Sequence, residues 1–146
     1  MAFQIGTIAI GSDHRAREIV NDLAAHLEAL GWSVHKHYGA GEDSVDYPCI
    51  ANEVTDAVTS GESECGVLIC GSGIGMCIAS NRFKNVRSAL INSQKSSILS
   101  RQHNNANVMC LGARLTPNKI AIQSVFTFLT TKFEGGRHSK RVKLLN

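Results

Sequence analysis

The segment Cys70-Gly71-Ser72-Gly73-Ile74-Gly75 brings together a thiol, a hydroxyl and three alternating glycines. Glycines at alternate positions let backbone N–H groups converge where a helix begins. That geometry holds a phosphate or a developing oxyanion. The amino end of such a helix favours a thiolate at Cys70. Taken alone, Cys70 reads first as a structural cysteine ending an apolar strand, because free Cys is among the most buried residue types. No Lys-Ser/Thr follows at nucleoside-triphosphate spacing, and the full dinucleotide fingerprint is missing.

Three further clusters carry usable groups. Gly11-Ser12-Asp13-His14 offers an acid and a base together, although Asp13 is also a good helix N-cap. These two roles are compatible. Ser100-Arg101-Gln102-His103-Asn104 holds an imidazole suited to proton transfer. Its plain alternative is a helix C-terminus, where Asn takes the left-handed conformation and His⁺ suits the dipole. In Gly135-Gly136-Arg137-His138-Ser139-Lys140-Arg141, Arg137 and Arg141 are four apart. On a helix they share a face and clamp one phosphate; otherwise the run is a solvated basic tail. His35 and His37 lie two apart on an expected strand, without an evident third metal ligand.

These clusters need elements to position them. Residues 5–11 are a short apolar run, read as a buried strand. Ala16, Ile19, Val20, Leu23, Leu27 and Leu30 recur at helical spacing over 15–30, and Gly31 stops that helix. Residues 33–38 form a second strand and 39–46 a Gly-rich loop. Tyr47-Pro48 opens a helix running to about residue 60. Residues 65–70 (CGVLIC) are the most strand-like run, followed by the glycine loop and a helix to about 81. Strands at 86–91 and 108–111 flank a helix at 93–102. A last long helix spans 117–131, with Ile120, Ile122, Val125, Phe126 and Leu129 as its inner face. Trp32 belongs with the core.

Strands alternating with helices imply βαβ units. The expected fold class is α/β, a three-layer, doubly wound, five-stranded parallel sheet. It is Rossmann-like, with the flavodoxin-like order 2-1-3-4-5. Ligands of such sheets bind outside the carboxyl ends of the strands. That rule points to residues 12–14, 71–75, 92–93 and 112–114.

Composition narrows the function classes. The chain has 146 residues, the length of one domain, and 43% of them are apolar. A net charge of +3 and 5% aromatic residues do not support nucleic-acid binding. No apolar run approaches the roughly 20 residues of a membrane span, and the first residues lack a secretory pattern. Five cysteines, without a Cys-x-x-Cys, imply reduced thiols in a cytoplasmic setting and no structural zinc.

Taken in order, the clusters are specific. With Asp46-Tyr47-Pro48, the run 67–75, and Glu134-Gly135-Gly136-Arg137-His138 followed by Arg141, the sequence resembles the ribose-5-phosphate isomerase B family, which includes galactose-6-phosphate isomerase subunits. The resemblance runs from Ile8 to about Val142. It implies a cofactor-free, metal-free aldose–ketose isomerase of the non-oxidative pentose phosphate pathway, interconverting ribose 5-phosphate and ribulose 5-phosphate. It also implies a homodimer, or a dimer of dimers, whose sites are completed by the neighbouring chain.

Residue by residue, the resemblance makes Cys70 the base that carries the C2/C1 proton. Ser72 moves the proton between the oxygens. The N–H groups of Gly71, Gly73, Ile74 and Gly75 hold the enediolate. His103 opens the sugar ring, and Asp13 engages a ring oxygen or hydroxyl. Tyr47 and Asn104 line the sugar. His14, Arg137 and Arg141 hold the phosphate, with Arg114 contributed across the dimer. Arg15 and Arg17 stand where the family often has small or apolar residues, and are expected to alter substrate access or the dimer surface. Two rival readings remain at this level: an isomerase of a 6-phosphohexose such as allose or galactose 6-phosphate, and a non-catalytic sugar-phosphate sensor on the same fold.

Overall fold

The computed structural model describes residues 5–38 and 45–145. Most of the expected Gly-rich loop at 39–46 lies outside them. The strands are β1 (Gly6–Ser12), β2 (Trp32–His37), β3 (Cys65–Cys70), β4 (Ser88–Leu90) and β5 (Val108–Gly112). The helices are α1 (Arg17–Ala29), α2 (Tyr47–Thr59), α3 (Ile74–Ser80), α4 (Gln94–Asn104), α5 (Asn118–Thr130) and α6 (Arg137–Lys143). All the strand pairs are parallel.

Period-two alternation divides the strand side chains between two layers. Ile8 and Ile10 of β1, Val67 and Ile69 of β3, and Met109 and Leu111 of β5 share one apolar cluster. Ile19, Val20, Leu23 and Leu27 of α1 cover it, with Ala121, Val125 and Phe128 of α5. Ala9, Leu68, Cys70, Val108 and Cys110 face the other way, against Ile50, Ala51, Val54 and Ala57 of α2 and Met76 of α3. Each central strand is thus buried on both faces, which is why its sequence reads as an unbroken apolar run.

The strand order is β2-β1-β3-β5-β4. The expected order holds for the first three strands and exchanges the last two. Burial explains the exchange. All five residues of β5 are buried, and it pairs with β3 over its whole length. The apolar run expected over 86–91 yields only three strand residues, all of them at least partly exposed. The more apolar strand takes the interior place, and the short one blunts the edge.

The inner face of α5 also differs from the periodicity reading. Ala121, Ser124, Val125 and Phe128 are its buried residues, while Ile122 and Leu129 flank the core. Small residues let α4 approach closely: Ser97 Oγ donates to the Ser124 carbonyl at 2.7 Å. Ile120 and Phe126 are displaced to the sides. Trp32 packs against the core as expected.

Local signals set the helix ends. Ser93 and Ser96 form a reciprocal capping box at the start of α4. Pro48 sits in the first turn of α2, where its missing N–H has no helical partner to lose. Among the described residues no helix is long and apolar enough to cross a membrane.

Leu68 is fully buried at the centre of the second cluster. Leu68→Ala is expected to lower the unfolding free energy by about 3 kcal/mol in urea titration. A change below about 1 kcal/mol would mean that this layer does not hold the sheet.

Candidate active site

Because the strands are parallel, the sheet has two unlike edges. The carboxyl edge carries the segments that follow β1, β3 and β5. The first is short: Asp13 caps a 3₁₀ turn (His14–Ala16), its carboxylate accepting from the Arg15 N–H at 3.1 Å. Asp13 also lines a cleft at this edge, so both expected roles for it are compatible with the structure. The backbone of His14 lies in that turn; its side chain falls outside what is described.

The second segment is the glycine loop between β3 and α3. Cys70 ends β3 and is 7% exposed, at the boundary between core and cleft. The Gly73 N–H donates to Cys70 Sγ at 3.2 Å, and the Ile74 N–H to Ser72 Oγ at 3.2 Å. These two N–H groups are aimed at the site's own thiol and hydroxyl and fix both in place. Gly73 has φ +76°, and a Cβ there would lie 2.7 Å from Leu90 and 2.8 Å from the Leu111 backbone. No other residue satisfies both demands.

The third segment clasps the second. Ala113 and Arg114 donate their N–H groups to the carbonyls of Cys70 and Gly71, at 2.8 and 3.0 Å. Gly112 lets Ser72 approach, since a Cβ there would meet the Ser72 carbonyl oxygen at 2.5 Å. Tyr47, on the first turn of α2, lays its ring against Gly75, where a Cβ would be 2.7 Å from it.

The result is an open cleft of about 360 Å³. Asp13, Tyr47, Cys70, Gly71, Ser72, Gly75 and Arg114 line it, with Leu115, which sequence reasoning missed. Arg114 was expected from a neighbouring chain; it lies in this chain's own cleft, beside Gly71. Arg15 and Arg17 do not line it, and Arg17 lies over the Tyr38 ring at 5.5 Å.

The remaining expected residues gather elsewhere. His103 and Asn104 end α4, just before β5 begins. Val108 pairs with Gly66 and Gly112 with Cys70, so the start of β5 and the thiol lie at opposite edges. At about 3.3 Å per residue, four residues of strand put on the order of 13 Å between these edges. Asn104 lines a different cleft, with Asn81 and Arg87. The left-handed residue after α4 is Asn105, at φ +47°, so the cap expected from this Asn-rich run is present.

Arg137 and Arg141 lie four apart on α6 and are exposed, as a helical reading requires. The His138 ring between them in sequence turns inward and stacks on His103, with centroids 4.3 Å apart and planes 12° from parallel. Glu134 adds a carboxylate 3.6 Å from His138. His103, Glu134 and His138 put three potential ligand atoms within 4.8 Å of one another. Nearly parallel rings, however, point their lone pairs side by side, so the trio does not converge on one metal ion. His35 and His37 sit instead beside Glu62 and Glu53, at 3.5 and 3.2 Å.

The other thiols differ from Cys70 in setting. Burial pushes Cys65 up to about 12. A hydrogen bond from the Cys110 thiol, with help from the Leu90 backbone and Asn81, brings Cys77 down to about 7.

Comparison with known proteins agrees with this geometry. A family model described as Ribose/Galactose Isomerase matches residues 8–145. Ribose-5-phosphate isomerase B of Escherichia coli is 38% identical over 138 residues, covering 94% of this chain and 93% of that protein. The crystal structure of a ribose 5-phosphate isomerase from Thermotoga maritima superposes with a TM-score of 0.92 at 41% identity, over 97% of both chains. That of ribose 5-phosphate isomerase B from Anaplasma phagocytophilum gives 0.90 at 42% identity over 100% of both. With nearly its whole length matched in sequence and in fold, this chain belongs to the ribose/galactose isomerase family.

Proposed function

We propose that the protein is a ribose-5-phosphate isomerase that interconverts ribose 5-phosphate and ribulose 5-phosphate through an enediolate. The observation that carries this reading is Cys70. Cys70 ends β3, its sulfur receives the Gly73 N–H, and the residue lines a cleft shared with Asp13, Tyr47, Ser72 and Arg114. Relatives named ribose-5-phosphate isomerase B, similar over nearly the whole chain, supply the substrate.

The chemistry follows from what moving a carbonyl requires. Starting from the aldose, the Cys70 thiolate takes the proton from C2, and the electron pair moves to the carbonyl oxygen at C1. With the Gly73 and Ile74 N–H groups spent on the thiol and the hydroxyl, the N–H groups of Gly71 and Gly75 and the Ser72 hydroxyl stabilise the oxygens of the enediolate. Ser72 passes the hydroxyl proton from O2 to O1, and the protonated thiol returns its proton to C1. No electrons leave the sugar, so the reaction is balanced without a redox partner. Tyr47 lines the sugar and Asp13 holds a ring oxygen or hydroxyl.

One chain does not complete this site. Cys70 and Arg114 lie at the carboxyl edge, while His103, Asn104, Arg137 and Arg141 lie at the other end of the strands. A homodimer that sets the carboxyl edge of one chain against α4 and α6 of its partner resolves the separation. The partner's His103 then opens the ring, and the partner's Arg137 and Arg141 take the phosphate. Tyr47, Ile74 and Ile78, 42%, 50% and 62% exposed beside the cleft, are apolar surface that such a partner covers. Five unpaired cysteines suit the reducing cytoplasm.

Cys70→Ala is expected to lower turnover of ribose 5-phosphate by about a thousandfold or more. Calorimetry should still register sugar-phosphate binding by this variant. Near-normal turnover would remove Cys70 as the base. Mixing Cys70→Ala with His103→Ala chains, each inactive alone, should restore about a quarter of wild-type activity. Half of the random dimers then carry one intact site. If the mixture stays as inactive as its components, the site is not shared between chains.

A further inference from the structure

His138 stands apart from the rest of the basic tail. Arg137, Lys140, Arg141 and Lys143 are exposed, whereas His138 is 6% exposed and packs beneath His103. Two backbone features hold it there. The Glu134 N–H donates to the Gln102 carbonyl at 3.1 Å, fastening the approach segment to α4 one residue before His103. Gly136 then turns at φ +52°, ψ −128°, a conformation open essentially to glycine alone, and directs the first turn of α6 inward.

The polar surroundings of the ring are sparse. Its Nε2 is 3.6 Å from Glu134, beyond hydrogen-bond reach, and has no hydrogen-bond partner among the described residues. The charged groups that bear on it are His103, Arg137, Arg141 and Glu134. Burial first, then the positive charge of His103 and the two arginines, holds His138 below the usual imidazole range, with Glu134 opposing. Two imidazolium rings 4.3 Å apart would repel.

We propose that His138 is a positioning residue for His103: its buried ring fixes the plane of the His103 imidazole at the end of α4, and so the direction from which that imidazole meets the sugar ring. This inference rests on the isomerase reading above. It gives His138 no contact with substrate. Its effect is confined to ring opening, and chemistry makes that step separable. Ribose 5-phosphate is mostly a closed furanose. Ribulose 5-phosphate carries its phosphate on the oxygen that would close the ring, and so stays open. From the ketose the aldose product can leave open-chain and close in solution, so a misaligned His103 slows kcat from the aldose more than kcat from the ketose.

The test compares His138→Ala, His138→Gln and His138→Phe with wild type in both directions, and follows the His103 Cε1 proton by NMR. In His138→Ala and His138→Gln the loss of kcat from ribose 5-phosphate should exceed the loss of kcat from ribulose 5-phosphate, followed as ketose consumed, by about tenfold or more, the scale of a catalytic group displaced by a fraction of an ångström. His138→Phe, which restores a flat ring, should recover most of the difference. The His103 signal should move downfield in His138→Ala as the overlying ring current disappears, and stay upfield in His138→Phe. Equal losses in both directions, no loss at all, a phenylalanine variant no better than alanine, or an unmoved His103 signal would each overturn the inference. Wild-type protein that turns over neither sugar would instead overturn the isomerase reading, and with it the catalytic part of this inference. The NMR comparison would still decide whether His138 orients His103.

Discussion

Parallel pairing between β3 and β5 is the constraint on which the site depends. Five backbone pairs, from Gly66–Val108 to Cys70–Gly112, set where each strand begins and ends. Because both strands run the same way, everything that follows a strand collects at one edge, and everything that ends a helix before a strand collects at the other. The thiol and hydroxyl follow β3 and the Arg114 cation follows β5. The imidazole pair and the two arginines belong to the opposite edge. The proposed isomerisation draws on both sets, which is why the proposal sets its site between two chains.

The carboxyl edge is stiff where stiffness matters. Ala113 and Arg114 close the β3 and β5 loops on each other through backbone hydrogen bonds. Gly112 permits the close approach, and Gly73 supplies the turn and then its N–H to the sulfur. A base that must meet a carbon-bound proton gains from being held on a strand end rather than on a free loop. Cys70 illustrates the compromise. It belongs both to the second apolar cluster and to the lining of the cleft, so the residue that ends the core strand is also the one the proposal makes the base.

Much of this was legible in the sequence, for definite reasons. CGVLIC is apolar on both faces, and β3 has the expected bounds because turn residues end it cleanly. The glycine loop followed a strand and preceded a helix, which is why Cys70, Ser72 and their neighbours could be placed at a carboxyl edge. Less was legible at β4, since Val86 and Ile91 are buried without belonging to the strand, and apolar content alone overstates its length. The order of the last two strands depends on which is the better core strand, a comparison that local pattern does not make. The inner face of α5 was misread because Ala121 and Ser124 look unremarkable in sequence, yet small residues are what a close helix crossing selects. His138 was hidden among four basic neighbours; its burial arises from the Gly135-Gly136 turn and not from any hydrophobic pattern.

The measurement that bears most directly on the account is a crystal structure of the assembled protein with ribose 5-phosphate bound. One sugar is expected between two chains, its C1–C2 segment against Cys70 Sγ of one protomer and its phosphate on the partner's Arg137 and Arg141. A sugar whose contacts all come from one chain, or one that leaves the sulfur out of reach, would contradict it.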